Sequence, residues 1–180
     1  MFFVNYRTDD EMIGAVHLAE KLADRVGADN VFLDRHSLRP GDDFAAVIED
    51  RLRACRMLIA LIGPRWAGTT SAGRRLDDPD DWVRREIATA FRLGRDVAPV
   101  LVRGARPPAA SDLPPDLAGL AGLQHFVLHD TSFSADVGRF VDLVAGARRG
   151  VGPGIVDAAV VNQFHGSVDA RGAVFGPVQN

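Results

Sequence analysis

The fold is decided by residues 57–62, which read MLIALI and lie between Arg56 and the Gly63-Pro64 pair. An unbroken apolar run of strand length is typical of a strand that is buried on both faces of a parallel sheet. Other runs rich in valine, isoleucine and phenylalanine occur on either side of it along the chain. Together they predict the strands Phe2 to Tyr6, Asn30 to Asp34, Met57 to Ile62, Asp96 to Val102 and Leu123 to Leu128.

Longer segments of helical period separate these strands. Each carries apolar residues at i, i+3 and i+4 spacing, which places them on one face of a helix. The predicted helices are Asp9 to Val26, Phe44 to Ala54, Trp82 to Leu93 and Phe133 to Ala147. Strands that alternate with helices indicate βαβ units, and right-handed crossovers that cover both faces predict a doubly wound parallel sheet. Ligands of such sheets bind beyond the carboxyl ends of the strands, which here means residues 6–10, 35–43, 63–81 and 103–122.

The composition excludes several classes of partner. The formal net charge is −3, with 21 basic residues interspersed among 24 acidic ones, so neither nucleic acid nor an anionic membrane is an expected partner. Cys55 is the only cysteine and the five histidines lack metal-ligand spacing, so we predict no disulfide and no metal. We expect no signal peptide, because the chain opens directly into an apolar run without a basic segment, and no stretch approaches the ~20 apolar residues of a membrane span. We expect a soluble, cytoplasmic protein.

A change of composition near Arg149 divides the chain. Residues 1–148 have the pattern of one folded domain. Residues 149–180 are rich in glycine, low in charge and without helical period, so they are predicted to form a separate tail.

Three stretches of the folded domain carry a family resemblance. Residues 3–7 read FVNYR and are similar to the box commonly written F-I-S-Y-R, with Asn5 in place of serine. Residues 31–44 are typical of a strand followed by a loop, with the turn-forming pair Pro40-Gly41. The third stretch comprises residues 61–66 and 74–87. Taken in this order, the three stretches resemble the TIR (Toll/interleukin-1 receptor-like) domains of bacterial proteins. The resemblance covers about four fifths of the chain.

The resemblance implies a flavodoxin-like α/β fold with a doubly wound five-stranded parallel sheet. In TIR domains with enzymatic activity the glutamate of the segment W-x-x-x-E is catalytic, and the match to residues 82–86 implies this role for Glu86. Residues four apart share a helix face, so the Trp82 indole and the Glu86 carboxylate are predicted to border one cleft. The alternatives are a solvated helix glutamate and a tryptophan that only packs.

Further site residues are implied near the first and second strands. Tyr6 and Arg7 correspond to positions that line the nucleotide pocket of enzymatic relatives, where an aromatic side chain stacks on a ring and an arginine meets phosphate. The alternatives are an interfacial tyrosine and a surface ion pair. Asp34 and Arg39 are candidates for the same cleft, but this loop, called the BB loop in the family, also serves in domain association. We prefer the association role for these two residues.

Enzymatic TIR domains cleave the bond between nicotinamide and ribose in NAD, so the resemblance implies NAD as a substrate and no cofactor. The nicotinamide leaves neutral and needs no general acid, unlike the leaving group of glycosidases that use paired carboxylates. One carboxylate can hold the ribose hydroxyls and stabilise the oxocarbenium-like charge. Both ADP-ribose and cyclic ADP-ribose remain open as products.

The resemblance favours an NAD-cleaving effector of a bacterial antiphage defence or cell-suicide system, activated by self-association. The alternative is a non-catalytic TIR adaptor that signals by homotypic association. A flavodoxin-like receiver is a third alternative, but the expected acidic cluster with a phosphoacceptor at a strand end is not evident. Fold alone does not separate these functions.

The tail shows a period-two alternation from Phe164 onward, which predicts a strand, a hairpin or pairing with an identical segment of another chain. Residues 162–168 and 176–179 resemble bacterial amyloid signalling motifs. This resemblance implies a partner, such as an NLR-like protein, that carries a matching segment. The alternative is a disordered, glycine-rich tail.

Overall fold

The computed structural model describes residues 1–33, 44–70 and 73–146. Its strands are β1 (Phe2–Asn5), β2 (Val31–Leu33), β3 (Met57–Ile62), β4 (Thr69–Thr70), β5 (Gly73–Arg74), β6 (Asp96–Val102) and β7 (Phe126–Leu128). Its α-helices are α1 (Thr8–Val26), α2 (Phe44–Ala54), α3 (Trp82–Arg92) and α4 (Phe133–Gly146). The predicted tail, residues 149–180, lies outside the described residues, and so do Asp34, Arg39 and the Pro40-Gly41 pair.

Five strands form a parallel sheet in the order β2-β1-β3-β6-β7. In its centre, Ile59 of β3 is paired with Val4 of β1 and Ala98 of β6. The predicted doubly wound, flavodoxin-like sheet is thereby confirmed. The strand order switches direction between β1 and β3, so the crevice expected for a ligand lies at the carboxyl ends of these two strands. β4 and β5 form a small antiparallel hairpin in the loop after β3.

Both faces of the sheet are covered by helices. Successive side chains of a strand point to opposite faces, so a strand that is covered on both sides needs apolar residues throughout. This explains the run MLIALI in β3. Its residues alternate between the core beside α1 and α4, which contains Met57, Ile59 and Leu61, and the core beside α2 and α3, which contains Leu58, Ala60 and Ile62.

The connection between β6 and β7 contains 3-10 turns at Ala110–Asp112 and Pro115–Gly122 instead of an α-helix. Prolines in this segment remove backbone donors and disfavour helical geometry in the residue before each of them. Leu117 and Leu120 are nevertheless buried in the core beside α3. The last turn ends at Gly122, and β7 begins at Phe126, later than the predicted start at Leu123.

The other elements predicted within the described residues are confirmed, with small shifts at their ends. β1 ends at Asn5 instead of Tyr6. β2 begins at Val31 because Ala28–Asn30 form a 3-10 turn. Within residues 1–33, 44–70 and 73–146, no helix has both the length and the apolar character needed to cross a membrane.

The start of α4 is held by the buried carboxylate of Asp136. It accepts hydrogen bonds from the backbone nitrogen of His129 at 2.9 Å and from Oγ of Ser132 at 3.0 Å, and it also contacts Nδ1 of His129 and the Arg139 guanidinium. Burial raises the pKa of this carboxyl, but the hydrogen bonds and the charge of Arg139 outweigh burial and hold the pKa below its ordinary value. Asp136 thus joins the end of β7 to α4.

Candidate functional site

The end of β1 and the first turns of α3 meet through Asn5 and Glu86. Nδ2 of Asn5 donates to Oε2 of Glu86 at 2.7 Å and to the carbonyl oxygen of Val83 at 3.3 Å. Asn5 is 0% exposed and Glu86 is 1% exposed. The carboxylate of Glu86 therefore lies inside the protein at the carboxyl end of β1, and not on a solvated helix face.

The burial of Glu86 follows from its position on α3. The buried stripe of this helix consists of Val83, Glu86, Ile87 and Ala90. A carboxylate in such a stripe is unusual, because burying a charge without a partner costs free energy. The Asn5 amide offsets part of this cost, since hydrogen bonds to charged groups are stronger than those between neutral groups. Its place at the ligand crevice makes Glu86 the strongest candidate residue of the site.

Arg7 is fixed by a buried ion pair with Asp81. Its Nη1 and Nη2 donate to the two carboxylate oxygens of Asp81 at 2.9 and 3.1 Å, and its Nε donates to the carbonyl oxygen of Trp66 at 2.7 Å. The Arg7 and Asp81 side chains are 5% and 10% exposed. All three guanidinium nitrogens are thus engaged within the protein. The contact with phosphate that the sequence predicts for Arg7 requires this arrangement to open.

Asp81 also caps α3. One of its carboxylate oxygens accepts a hydrogen bond from the backbone nitrogen of Arg84 at 3.1 Å, which is the geometry of an N-cap side chain. One carboxylate therefore holds both Arg7 and the start of the helix that carries Glu86. This role of Asp81 was not predicted from the sequence, although an aspartate immediately before a helical run is a typical N-cap signal.

Tyr6 and Trp82 lie in surroundings different from those of Glu86. Tyr6 is buried in the core beside α1 and α4, on the opposite side of the sheet from α3. Tyr6 thus packs in a different core from the apolar residues of α3. Trp82 is half-buried at the start of α3, and the guanidinium carbon of Arg85 lies 4.3 Å from the centre of a Trp82 ring. A ligand that stacks on this face of Trp82 has to displace Arg85.

Two acidic residues at the start of α1, Asp10 and Glu11, are buried at the same edge of the sheet. Asp10 accepts from the backbone nitrogen of Arg65 at 3.1 and 3.2 Å and so anchors the loop after β3. Burial raises the pKa of Glu11, while the charge of Arg103 and a hydrogen bond from the backbone of Gly14 oppose the rise. In the part of the chain that the structure describes, no group of three or more His, Cys, Asp or Glu side chains is arranged to hold a metal ion.

The parallel sheet and the polar cluster beyond β1 define an α/β protein of the flavodoxin-like class. Residues 2–141 match the TIR domain family, and the chain belongs to this family. Comparison with curated proteins gives no match.

Two solved structures illustrate the likeness. The TIR domains of the activated Roq1 resistosome, which recognises the pathogen effector XopQ, are 13% identical with a TM-score of 0.58, over 81% of this chain and 96% of that one. A metazoan TIR-STING receptor from C. gigas in complex with 2',3'-cGAMP is 20% identical with a TM-score of 0.53, over 78% of this chain and 38% of that one. At such identities the likeness shows the fold alone.

Proposed function

We propose that this TIR domain cleaves NAD between nicotinamide and ribose, with Glu86 as the carboxylate that acts on the sugar. The observation that carries the proposal is the burial of Glu86 beside Asn5 at the carboxyl end of β1. Glu86 also occupies the glutamate position of the W-x-x-x-E segment, which is catalytic in enzymatic TIR domains. NAD is the substrate in this proposal, and no cofactor takes part.

One carboxylate is sufficient for this reaction. The pyridinium of NAD leaves as neutral nicotinamide, so no group has to protonate it. As the bond breaks, positive charge develops on the ribose, and a carboxylate stabilises that charge most strongly where water is excluded. Water then adds to the sugar carbon and releases a proton to give ADP-ribose, or a base of the same molecule adds to give the cyclic product.

Self-association is part of the proposal. At 1% exposure the Glu86 carboxylate is too deeply buried to contact a ribose in the described conformation. We propose that contact between domains moves the elements that cover it, while the Asn5 hydrogen bond keeps the carboxylate in position. A structure similar in fold contains TIR domains within an activated resistosome.

Nicotinamide release by the purified protein tests this proposal. Turnover per molecule should rise with protein concentration, and rise further when tagged protein is crowded on vesicles that contain nickel-chelating lipid. Glu86→Gln is the matched variant, because glutamine keeps the shape of the side chain and an oxygen that accepts from Asn5. Absence of nicotinamide release from both free and crowded wild-type protein contradicts the proposal.

A non-catalytic adaptor that acts by homotypic association is the second candidate. The placement of Tyr6 and Arg7 favours it, because both side chains have roles within the fold. This candidate predicts association of the protein without any turnover of NAD. It also predicts that Glu86→Gln leaves association unchanged.

On the basis of sequence resemblance we assign the proposed activity to a cytoplasmic bacterial antiphage defence or cell-suicide system. In this proposal residues 149–180 recruit the domain to an NLR-like partner with a matching amyloid-type segment. A synthetic peptide of residues 160–180 should then form β-rich fibrils, because stacked identical segments satisfy each other's backbone hydrogen bonds. A peptide that stays monomeric when seeded contradicts this role for the tail.

A further inference from the structure

A cavity of about 410 Å³ lies at the carboxyl edge of the sheet, between the loop after β3 and the loop after β6. Its walls include Trp66 and Arg74 from the first loop and Arg106 and Pro108 from the second. The volume falls within the range of about 300–1,000 Å³ that is usual for small-molecule sites. Neither Glu86 nor its partner Asn5 is among the lining residues of this cavity.

Two residues that line this cavity each have a buried donor without an acceptor among the described residues. Trp66 is 4% exposed, and its Nε1 has no hydrogen-bond partner among the described residues. Nε of Arg74 is likewise buried without a partner in that part of the chain, although Nη2 of the same side chain donates to the carbonyl oxygen of Asp112. Native proteins rarely retain a buried donor without an acceptor, because the lost hydrogen bonds to water are not replaced. Two such donors in residues that line one cavity favour a ligand that carries acceptor oxygens.

The Trp66 side of the cavity is held in place by contacts within the protein. The backbone nitrogen of Trp66 donates to the carbonyl oxygen of Gly63 at 3.1 Å, and its carbonyl oxygen accepts from Arg7. Gly63 in turn packs against Asp10 so closely that a Cβ at this position would lie 2.4 Å from the carboxylate. The backbone of Trp66 is therefore held in place before a ligand binds, which reduces the entropy cost of binding.

The charges and walls of the cavity define the chemistry of its ligand. The charged lining residues are Arg74, Arg106 and Asp112, and Arg74 also pairs with Asp77 at 3.2 Å, so Arg106 is the main cation for a ligand. Most of the remaining wall is apolar and includes Pro64, Leu76, Pro108 and Leu113. We propose that the cavity binds a small anion with a planar ring, of the class of a nucleoside monophosphate or an aromatic carboxylate. The ring packs against the apolar wall, and the anionic oxygens accept from the Trp66 indole and from the arginines.

The indole N–H of Trp66 can be observed directly by nuclear magnetic resonance. The chain has two tryptophans, so Trp82→Phe leaves Trp66 as the source of the single indole N–H signal. Addition of AMP or of nicotinate should move this signal downfield in a saturable manner, because the donor gains an anionic acceptor. The two probes separate a phosphate ligand from a carboxylate ligand. Adenosine, which has the ring of AMP without the phosphate, should bind about tenfold more weakly than AMP if phosphate is the anion recognised.

A matched pair of arginine variants in the Trp82→Phe protein completes the test. Arg106→Gln should weaken binding of the effective probe about fivefold, because it removes a charge that lines the cavity. Arg92→Gln makes the same change at an exposed position of α3 and should leave binding unchanged. The proposal is overturned if neither AMP nor nicotinate moves the indole signal at millimolar concentration, or if the two arginine variants weaken binding equally. These measurements do not depend on NAD cleavage. Their outcome is therefore independent of whether the proposed enzyme activity is correct.

Discussion

Asn5 and Glu86 are 81 positions apart in the sequence, and the amide nitrogen of Asn5 lies 2.7 Å from Oε2 of Glu86. The last residue of β1 thus sets the position of the carboxylate that we propose to act on NAD. TIR domains commonly have serine where this chain has Asn5. The longer asparagine side chain also reaches the carbonyl oxygen of Val83, so it ties two turns of α3 to the end of β1.

Glu86→Gln should reduce NAD cleavage by crowded protein at least ~100-fold, because it removes the charge that stabilises the developing cation on the ribose. The melting temperature should stay the same or rise, since a neutral amide is less costly to bury than a carboxylate. Glu20→Gln, at an exposed position of α1, is the control and should keep full activity. Nicotinamide release measures both variants, and near-wild-type turnover in Glu86→Gln would sink the catalytic assignment.

Asn5→Asp should destabilise the folded protein by about 3 kcal/mol or more at neutral pH, because it buries a second carboxylate beside Glu86. The loss should shrink in mildly acid solution, where a proton shared between the two carboxylates relieves their repulsion. Asn5→Ser, which keeps a donor, should cost about 1 kcal/mol at either pH. Urea denaturation gives these free energies of unfolding. A loss in Asn5→Asp that does not change with pH is the contrary result.

Arg7→Lys should destabilise the protein by about 2 kcal/mol, because an ammonium group cannot bond both oxygens of Asp81 and the carbonyl of Trp66 in the same geometry. Arg25→Lys is the matched control, since Arg25 forms an exposed ion pair with Asp142. Arg25→Lys should lower the free energy of unfolding by less than about 0.5 kcal/mol. Equal losses of stability in the two variants, measured by urea denaturation, argue against a structural role for the buried pair.

Asp136→Asn should make the melting temperature depend less on pH in acid solution. The folded-state pKa of Asp136 is lowered, so its carboxylate contributes stability above the ordinary pKa of aspartate. That contribution is lost as the pH falls through the lowered folded-state pKa. The melting temperature of the wild-type protein should therefore decline in this window more steeply than that of Asp136→Asn. Asp142→Asn, at an exposed carboxylate, should behave like wild type, and an equal decline in all three proteins contradicts the assignment.

Local periodicity made most of the fold predictable. β3 has an unbroken apolar run because helices cover both of its faces. α3 has regular apolar spacing because only one of its faces packs against the core. The pairing of Arg7 with Asp81 could not be predicted in the same way. It depends on where the end of β1 meets the start of α3, and nothing in either residue's local sequence specifies that meeting.

The burial of Glu86 was also hidden in the sequence, because two arginines precede it and suggest a solvated helix face. In the structure these arginines have partners of their own. Arg84 pairs with Asp116 at 3.0 Å, and Arg85 lies over the ring of Trp82. Arg84 and Arg85 therefore both have partners outside the buried stripe of α3. Glu86 lies within that stripe and faces the sheet. The family resemblance identified the residue, and its catalytic role stays a prediction.

Arg7 joins the cavity to the helix that carries Glu86. One guanidinium bonds the carbonyl of Trp66, a residue of the cavity, and the carboxylate of Asp81, the cap of the helix that carries Glu86. If a ligand shifts Trp66 and Arg7 moves with it, binding also changes the free energy of moving the start of α3. Thermodynamic linkage makes this effect reciprocal, so a displacement of α3 alters the affinity of the cavity for that ligand by the same factor.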